Sequence, residues 1–397
     1  MRILQICNKP PYPPIEGGPI AMNAITQGLI ESGHQVQVLA VNSSKFAGKE
    51  LPEEYQTKTS YQEVDIDLSI KPLQALINLF SLKSLHVERY KIKALYNKIT
   101  EILKNQEFDI IHFESIFLAF LIPIIRKYSN AKIVIRTHNV EHLIWKRLAN
   151  NEGNLLKKIY LHHIANTLKR FELKILNKAD GILSITEQDA QFFREQNVQT
   201  PITGLPFGIN LKSIKIAQRN TKTEKPSLFF IGSLNWQPNL EGIEWFLKEV
   251  WNRPDFDFSE YELHIAGRHT PSHLYEFANE RTVIHGEVDD ALQFMANHDV
   301  MIVPLWSGSG VRIKIIEAFL MEKAVISTSV GAEGLNYTNG TDVFIADDAS
   351  SFSNSIHALL KDAENCKKIG TNARKLISDF HNNELIINKL IDIYKEL

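Results

Sequence analysis

Residues 300–319 read VMIVPLWSGSGVRIKIIEAF, which places a short apolar strand, a glycine-rich turn and the start of a helix in direct succession. The predicted strand, 300–304, ends just before Gly308 and Gly310, two residues that let the backbone approach a ligand closely. The free N–H groups and the dipole at the start of the following helix favour a phosphate group. This order of elements predicts a phosphate-binding loop.

Charged side chains follow the glycine turn at the start of the predicted helix. Arg312 and Lys314 place fixed positive charge beside the loop. Glu317 lies about two turns further on, where a carboxylate can accept hydrogen bonds from ribose hydroxyls. The same residues also fit a plain turn followed by solvated surface charges, but the strand before and the helix after favour phosphate binding. The loop itself consists of Gly308, Ser309, Gly310 and Val311.

Short apolar segments rich in β-branched residues alternate with helical periodicity along the whole chain. The predicted strands are 2–7, 35–41, 109–113, 132–137 and 181–185 in the first half, and 227–231, 262–266, 282–285, 300–304, 324–328 and 343–346 in the second. Such alternation is typical of parallel strands covered by helices. The fold class is therefore α/β, with two Rossmann-like, doubly wound halves.

The boundary between the halves is marked by turn-forming and polar residues. The segment 204–210 reads GLPFGIN, and a polar linker follows at 218–225. We expect an N-terminal domain over 1–210, a C-terminal domain over 211–382, and a terminal helix over 383–397 that packs back on the first. Two doubly wound halves predict a cleft lined by the carboxyl ends of both sets of strands.

The composition of the 397 residues is that of a globular protein, with 44% hydrophobic and 23% charged residues. The two cysteines, Cys7 and Cys366, form no disulfide framework, which favours a reducing compartment. The N-terminal apolar segment is too short for a signal peptide, and no apolar run is long enough to span a bilayer. We therefore expect a cytoplasmic protein.

Metal and cofactor sites are not expected. No histidine, aspartate or glutamate cluster has the sequence spacing of metal ligands, and no Asp-x-Asp motif follows a predicted strand. The sequence therefore predicts a metal-independent site without a cofactor. No nucleic-acid partner is expected either.

Charge is distributed unevenly along the chain. Lys and Arg dominate in 71–104 and 145–178, whereas Asp and Glu dominate in 241–300. The first basic segment interleaves its charges with apolar residues, a pattern that suits contact with an anionic membrane surface. A helix that faces the core and carries solvated charges is the alternative interpretation.

Several motifs, taken in order, resemble those of the retaining "group 1" glycosyltransferases of GT-B fold, family 4-like. They are GG (17–18), FDIIH (108–112), THNVE (137–141), ADGILS (179–184), PFGIN (206–210), FIGS (230–233), GSGVRIKIIEA (308–318), AVISTS (324–329) and GAEGL (331–335). The resemblance covers nearly the whole chain. It implies two Rossmann-like domains, with the nucleotide-diphosphate-sugar donor held by the C-terminal one and the acceptor by the N-terminal one.

The resemblance also implies roles for individual residues. Gly17 and Gly18 would lie near the transferred sugar and phosphate, and His138 would contact the donor sugar. Glu141 would bind or polarise the acceptor hydroxyl, or simply face solvent. The remaining donor-binding candidates are Ser233, Arg268 and Val288, the last two beside the base. The candidate catalytic residues are His138, Glu141 and Lys314.

The sequence departs from the family pattern at two points. The family often has two glutamates eight residues apart; the second aligns with Glu317, whereas Ser309 replaces the first. The family also often carries Arg and Lys after the first strand of the second domain, where Ser233 and Gln237 stand here. Arg312 and Lys314 are expected to supply the missing positive charge.

The function implied is transfer of a sugar, of hexosyltransferase type, to a hydroxyl of a glycan, lipid-linked or small-molecule acceptor. Synthesis of a bacterial envelope polysaccharide or glycoconjugate is the expected setting. In this family the leaving diphosphate is usually held to take the acceptor proton, so no nucleophile–base pair is required. Two alternatives remain open: a nucleotide-sugar epimerase, and a non-catalytic partner subunit that binds nucleotide or glycan.

Overall fold

A computed structural model describes residues 1–14, 17–43, 51–69, 77–211, 217–221, 225–307 and 312–397. The chain forms two compact units. Unit 1 comprises Met1–Asn210 and Asn383–Leu397, and unit 2 comprises Leu211–Asn382. Among the described residues, no helix combines the length and the apolar character needed to cross a lipid bilayer.

Unit 1 is built on a parallel sheet in the order β3-β2-β1-β4-β5-β6-β7. Its strands are β1 (Arg2–Cys7), β2 (Gln35–Asn42), β3 (Gln62–Asp65), β4 (Ile110–Phe113), β5 (Lys132–Thr137), β6 (Gly181–Ser184) and β7 (Ile202–Gly204). The central strands are buried on both faces, with one apolar cluster on each side of the sheet. This is why they appear in the sequence as continuous apolar runs rather than alternating ones.

Helices cover both faces of this sheet. They are α1 (Gly17–Glu31), α2 (Glu53–Thr59), α3 (Leu85–Glu88), α4 (Lys93–Asn105), α5 (Ile122–Tyr128), α6 (Glu141–Asn151), α7 (Leu155–Leu176) and α8 (Glu187–Glu195), with a 3₁₀ turn at Ile116–Leu121. The C-terminal helix, Asn383–Glu396, also belongs to this unit. Its Asn383 amide donates to Ala24 O at 3.0 Å, and Gly28 leaves no room for a Cβ, which would lie 2.4 Å from Ile387.

Unit 2 is built on a second parallel sheet in the order β10-β9-β8-β11-β12-β13. Its strands are β8 (Ser227–Ile231), β9 (Glu262–Ala266), β10 (Thr282–Gly286), β11 (Val300–Val303), β12 (Ala324–Ser327) and β13 (Phe344–Ile345). Its helices are α9 (Gln237–Phe246), α10 (Ala291–Asn297), α11 (Ile313–Leu320), α12 (Ala349–Leu360) and α13 (Ala363–Phe380). A π-helical turn at Leu247–Trp251 follows α9, and a 3₁₀ turn lies at Ser272–Phe277. The C-terminal helix described above is α14.

Every strand that the sequence predicts is present, within two residues at each end. Strands β3 and β7 are missing from the sequence prediction. They are the two edge strands of unit 1, and only one residue of each is buried. A short edge strand with little burial has neither the length nor the apolar content that reveals a strand in a sequence.

Candidate functional site

The carboxyl ends of parallel strands are where ligands bind in doubly wound folds. In unit 1, the residues just beyond β1, β4 and β5 include Lys9, Glu114 and His138. In unit 2, the loops beyond β8 and β11 lead to Ser233 and Arg312. Each of these two ends is described below for its own unit.

Glu114 is the centre of a buried polar network in unit 1. Its side chain is fully buried, and Gln5 Nε2 donates to Glu114 Oε1 at 2.7 Å. The opposite carboxylate oxygen, Oε2, lies 3.1 Å from His138 Nε2 and 3.5 Å from the guanidinium of Arg136. Arg136 is also fully buried, and it donates to Ala21 O at 3.2 Å. The buried carboxylate of Glu114 thus fixes the loop residue His138 through its Nε2 atom.

The network keeps Glu114 ionised. Burial alone would raise the pKa of this carboxyl, but the neighbouring His112, Arg136 and His138 more than offset it and lower the pKa to about 2. A buried carboxylate is tolerated only with such partners, because an uncompensated charge in the interior costs several kcal/mol. The positive charge that balances Glu114 is that of Arg136.

The two histidines of the network are neutral. Burial lowers the pKa of His112 to about 4 and also lowers the pKa of His138. Glu114 can only accept, so we assign the proton of His138 to Nε2, which leaves Nδ1 as an acceptor. His112 Nδ1 is bonded by the hydroxyl of Tyr394 on α14, so the C-terminal helix completes the network.

Gly17 and Gly18 open α1 beside Lys9. A Cβ on Gly18 would lie 2.7 Å from Lys9 Cε and 2.8 Å from Lys9 Nζ, so glycine is what lets the lysine ammonium lie over the start of the helix. The charge of Lys9 also acts on His138 and Glu141, whose pKa values it lowers. Lys9 and His138, which follow β1 and β5, therefore lie near the starts of α1 and α6.

Glu141, the first residue of α6, has an unusual environment. Its N–H donates to Glu172 Oε1 at 3.0 Å, and Glu172 is fully buried. Burial, followed by the charge of Glu172, raises the pKa of Glu141 to about 8. Glu141 is therefore largely protonated at neutral pH and can donate a hydrogen bond, which an ordinary carboxylate cannot.

The loops at the carboxyl end of the unit 2 sheet are tied together by backbone hydrogen bonds. Leu234 N donates to Arg268 O at 2.9 Å, and Gly267 N donates to Gly286 O at 2.7 Å. A Cβ on Gly267 would lie 2.3 Å from the carbonyl oxygen of Gly232, so these loops approach each other as closely as glycine allows. Ser233, Arg268 and Val288 all lie on this connected set of loops.

Arg312 brings the start of α11 to the loop after β8. Its guanidinium lies over the ring of Trp236 at 5.0 Å, a cation–π contact. Ser233, three residues before Trp236, donates from its hydroxyl to Asn235 Oδ1 at 2.7 Å. Positive charge and a hydroxyl-bearing loop thus lie beside the N-terminus of α11, where an anion is favoured.

Lys314 and Glu317 pair with each other along α11. Lys314 Nζ donates to Glu317 Oε2 at 2.6 Å, and both side chains are partly exposed. The sequence predicts a separate ligand for each of them, whereas in this structure each is the other's partner. Gly308, Ser309, Gly310 and Val311 lie outside the described residues. Arg268 is exposed and Val288 is half-buried.

Comparisons with known proteins identify the family of the chain. Residues 16–213 match the family described as Glycosyltransferase Family 4, and residues 225–362 match the family described as Glycosyl transferases group 1. The two matches fall one on each unit. The chain belongs to the group 1 glycosyltransferases.

Individual relatives of this glycosyltransferase match along the whole chain. An uncharacterised 44.6 kDa protein in the cps region of Klebsiella pneumoniae is 23% identical over 406 residues, covering 100% of this chain and 99% of the relative. Among solved structures, the sucrose-phosphate synthase of Thermosynechococcus elongatus is similar with a TM-score of 0.71 at 15% identity, over 100% and 99% of the two chains. Anabaena HepE in complex with UDP-glucose has a TM-score of 0.66 at 14% identity, over 100% of both chains. The architecture is GT-B.

The sequence did not predict several residues that build the carboxyl ends of the glycosyltransferase's two sheets. They are Lys9, Glu114, Arg136, Glu172 and Trp236. Glu114 was recognisable in the sequence as a candidate, because a glutamate directly after the apolar strand IIHF is unusual. Lys9 similarly follows the first strand. Arg136 and Glu172 sit inside a strand and a helix, where only the fold shows what they contact.

Proposed function

We propose that this glycosyltransferase transfers a hexose, with retention of configuration, from a nucleotide-diphosphate sugar to an acceptor hydroxyl. The observation that carries the proposal is the grouping of Arg312, Trp236 and Ser233 at the N-terminus of α11 in unit 2. A helix N-terminus with a fixed guanidinium beside it suits a diphosphate. HepE, a structural neighbour, is described in complex with UDP-glucose, which supports the donor class.

Donor binding would break the ion pair between Lys314 and Glu317 on α11. A diphosphate would draw Lys314 away from Glu317, because a phosphate oxygen offers the ammonium a second, stronger partner. Glu317 would then be released to accept hydrogen bonds from the ribose hydroxyls. Gly308 to Val311 would supply backbone N–H groups, and Arg268 and Val288 would contact the base.

In unit 1, His138 would contact the transferred sugar. With Nε2–H held by Glu114, the remaining Nδ1 accepts a hydrogen bond and so suits a sugar hydroxyl rather than a phosphate oxygen. Glu114 would then be a positioning residue that fixes the ring and its tautomer. Glu141, protonated at neutral pH, would donate to the acceptor, and Gly17 and Gly18 would admit the donor phosphate near Lys9.

Retention of configuration is consistent with a site that stabilises charge rather than supplying a nucleophile. The departing diphosphate would take the acceptor proton while α11 stabilises its growing charge. The anomeric configuration of the product, measured by NMR, tests this: the donor's configuration should be kept, and an inverted product would contradict the mechanism.

We also propose that the transfer itself needs no metal, so the rate should survive EDTA.

The donor is identified by measuring melting temperature with UDP-, GDP- and ADP-sugars. A ligand that binds the native state raises stability by RT ln(1 + [L]/Kd), about 2.7 kcal/mol at 100 times Kd. We expect one base to raise the melting temperature clearly above the others. If none of the three does so, the donor class proposed here is wrong.

The acceptor is proposed to be a lipid-linked glycan of envelope polysaccharide synthesis. The Klebsiella relative is described as a protein of the cps region, and a structure of S. aureus TarM with a TM-score of 0.62 is described with fondaparinux, α-GlcNAc-glycerol and UDP. Both descriptions fit acceptors that are glycans or glycoconjugates. A lipid-linked acceptor would require the enzyme to approach a membrane surface.

Unit 1 carries an apolar surface suited to that approach. It lies on the start of α7 and on the neighbouring segment 77–82, which His163 of α7 joins by a 2.8 Å hydrogen bond to Asn78 O. Leu156 is 79% exposed and Phe80 is 90% exposed. The other exposed apolar side chains of this surface are Ile77, Leu82, Leu155 and Ile159, together with Leu148 at the end of the preceding helix α6. Solvent exposure of so many large apolar groups in one region is typical of an interaction surface.

Basic residues lie close to these apolar residues in the sequence. They are Lys83, Lys146, Arg147, Lys157 and Lys158. Apolar groups flanked by lysine and arginine match the interface of an anionic bilayer, where burial of the apolar groups and attraction to the lipid headgroups act together. We propose that this surface rests on the membrane that holds the acceptor.

Vesicle binding tests the proposed membrane surface. Replacing Leu155 and Leu156 together by Ser should weaken co-sedimentation with anionic phospholipid vesicles by at least about tenfold, since each buried leucine is worth about 1.5–3 kcal/mol. Leu385→Ser is the matched control, because Leu385 is 54% exposed on α14 of the same unit. Equal binding by the double variant and the control would contradict the membrane assignment.

A further inference from the structure

Three histidines meet on one face of the unit 2 sheet. His264 lies in β9, His285 lies at an irregularity in the pairing of β10 with β9, and His298 follows α10. One ring nitrogen from each lies within 4.8 Å of the other two. His264 Nδ1 and His285 Nε2 are 3.0 Å apart, and the rings of His264 and His298 are stacked at 4.1 Å.

The position of His285 depends on the strand irregularity. The register of β10 shifts between Ile284 and Gly286, so the residue between them leaves the regular pairing with β9. Bulges of this kind turn a side chain to a direction that regular alternation would not give it. In the sequence, His264 and His285 are 21 residues apart, and no metal-ligand spacing connects the three histidines.

His298 carries a buried nitrogen that needs a partner. The residue is only 5% exposed, and its Nδ1 has no hydrogen-bond partner among the described residues. A buried polar atom left without a partner costs about 1–3 kcal/mol. Such an atom, on a ring that lies 4.1 Å from the His264 ring and 6.3 Å from the His285 ring, indicates that a ligand completes the cluster.

The surroundings match those of metal-binding histidines. His264 Nε2 lies 3.3 Å from Glu262 Oε2, so the carboxylate fixes the tautomer with the proton on Nε2 and leaves the lone pair of Nδ1 able to bind a metal ion. The rings of Phe294 and Phe229 pack against His298 at 4.6 and 5.9 Å and form an apolar shell.

We propose that His264, His285 and His298 together bind one divalent transition-metal ion, of which Zn²⁺ is the expected occupant. Three imidazole nitrogens suit Zn²⁺, Ni²⁺ or Cu²⁺ and not Mg²⁺ or Ca²⁺, which prefer oxygen. In a tetrahedral zinc site the nitrogens lie about 3.3 Å apart at Zn–N distances of about 2.0–2.1 Å. The three nitrogens, now within 4.8 Å of one another, would approach by up to about 1.5 Å, and the stacked rings of His264 and His298 would rotate so that their lone pairs converge on the ion. His285 is exposed, which leaves the fourth position to water.

The ion would join three separate parts of unit 2. His264 and His285 belong to neighbouring strands, and His298 links α10 to the start of β11. His264 lies within β9 and His298 precedes β11, whereas His285 lies one residue before the end of β10, close to the loop that carries Val288. The ion would stabilise the sheet and the start of this loop, and the inference does not depend on the proposed function.

Zinc binding by tag-free, chelator-treated protein tests the site. A competition titration against a chromophoric chelator should give one Zn²⁺ per chain, and Mg²⁺ should not compete. His285→Asn is the main variant because the exposed side chain can be changed without disturbing the core; it should weaken zinc binding at least about 100-fold. Glu262→Gln should weaken it about 10- to 100-fold, as loss of a carboxylate behind a metal-binding histidine typically does.

The matched control is His273→Asn, which changes an exposed histidine of the same unit that is paired with Glu244. It should bind zinc as the parent protein does. Substitution of Co²⁺ should give the intense visible absorption of a tetrahedral complex, and this band should be absent in His285→Asn. Absence of stoichiometric zinc binding in the parent, or equal zinc affinity in the parent and His285→Asn, would overturn the assignment.

Discussion

The charged residues at the carboxyl ends of the two sheets of this glycosyltransferase are held in opposite ways. In unit 1 the charged pair Glu114–Arg136 is fully buried and surrounded by fixed donors. In unit 2 the charged pair Lys314–Glu317 lies on a helix surface, with both side chains partly exposed. The first arrangement is rigid before any ligand arrives, whereas the second can exchange its partner for a ligand.

This difference suits two different tasks. A group that must hold one histidine in one tautomer benefits from burial, because the surrounding dipoles cannot reorganise. A group that must bind and release a nucleotide benefits from solvent exposure, since its free-state pair costs little to break. Unit 1 would then set the geometry of the sugar, and unit 2 would set the affinity for the donor.

The largest expected effect is the loss of stability on breaking the buried pair. Glu114→Gln leaves the charge of Arg136 without its counter-ion, and removing one member of a buried pair typically costs about 3–5 kcal/mol. Urea unfolding should show this loss. Asp392→Asn, which alters an exposed pair with Lys395 in the same unit, is the control and should change stability by about 0.5 kcal/mol or less. If both variants lose the same small amount, the buried pair does not have the role described.

His138→Ala should separate the two tasks kinetically. Removing a group that positions the sugar should lower kcat by about 10- to 100-fold, while the affinity for the free nucleoside diphosphate stays at the parent value. Glu114→Gln, assayed where it remains folded, should lower kcat in the same direction because it releases His138. A parent-like kcat in His138→Ala would remove this residue from the mechanism.

Glu141 predicts a pH dependence of stability. Its folded pKa of about 8 lies above its ordinary value of 4.5, so the folded state holds a proton that the unfolded state releases. The stabilisation is complete below about pH 4.5, falls as the pH rises and is lost once the pH passes about 8. Glu141→Gln mimics the protonated form, so its stability relative to the parent should increase between these pH values and then level off. A difference that does not change with pH would show that Glu141 titrates normally.

The smallest expected effect is that of Glu317→Gln. If Glu317 holds ribose hydroxyls, the amide keeps the shape but weakens the bonds, and nucleotide affinity should fall by a factor of about five, or about 1 kcal/mol. Melting temperature should stay within the range of a surface substitution. A stability loss with unchanged affinity would instead make Glu317 a structural partner, and no change in either would make it an ordinary surface residue.

The sequence predicts the repeated α/β pattern well because buried parallel strands appear as short continuous apolar runs. Residues 300–319 likewise predict the strand β11 and the helix α11, which lie on either side of the glycine-rich loop. What the sequence does not reveal is which polar residues meet. Glu114, Arg136 and Tyr394 come from distant parts of the chain, and only the order of strands and the return of α14 bring them together.

The donor site at α11 is tested most directly by calorimetry with the nucleoside diphosphate of the preferred donor. Lys314→Ala should weaken its binding by about 10- to 150-fold, which corresponds to the ~1.5–3 kcal/mol of one charge-assisted hydrogen bond. Lys248→Ala, which removes a lysine from another Lys–Glu pair in the same unit, is the control and should bind like the parent protein. Parent-like affinity in a well-folded Lys314→Ala variant would contradict the assignment of the donor diphosphate to α11.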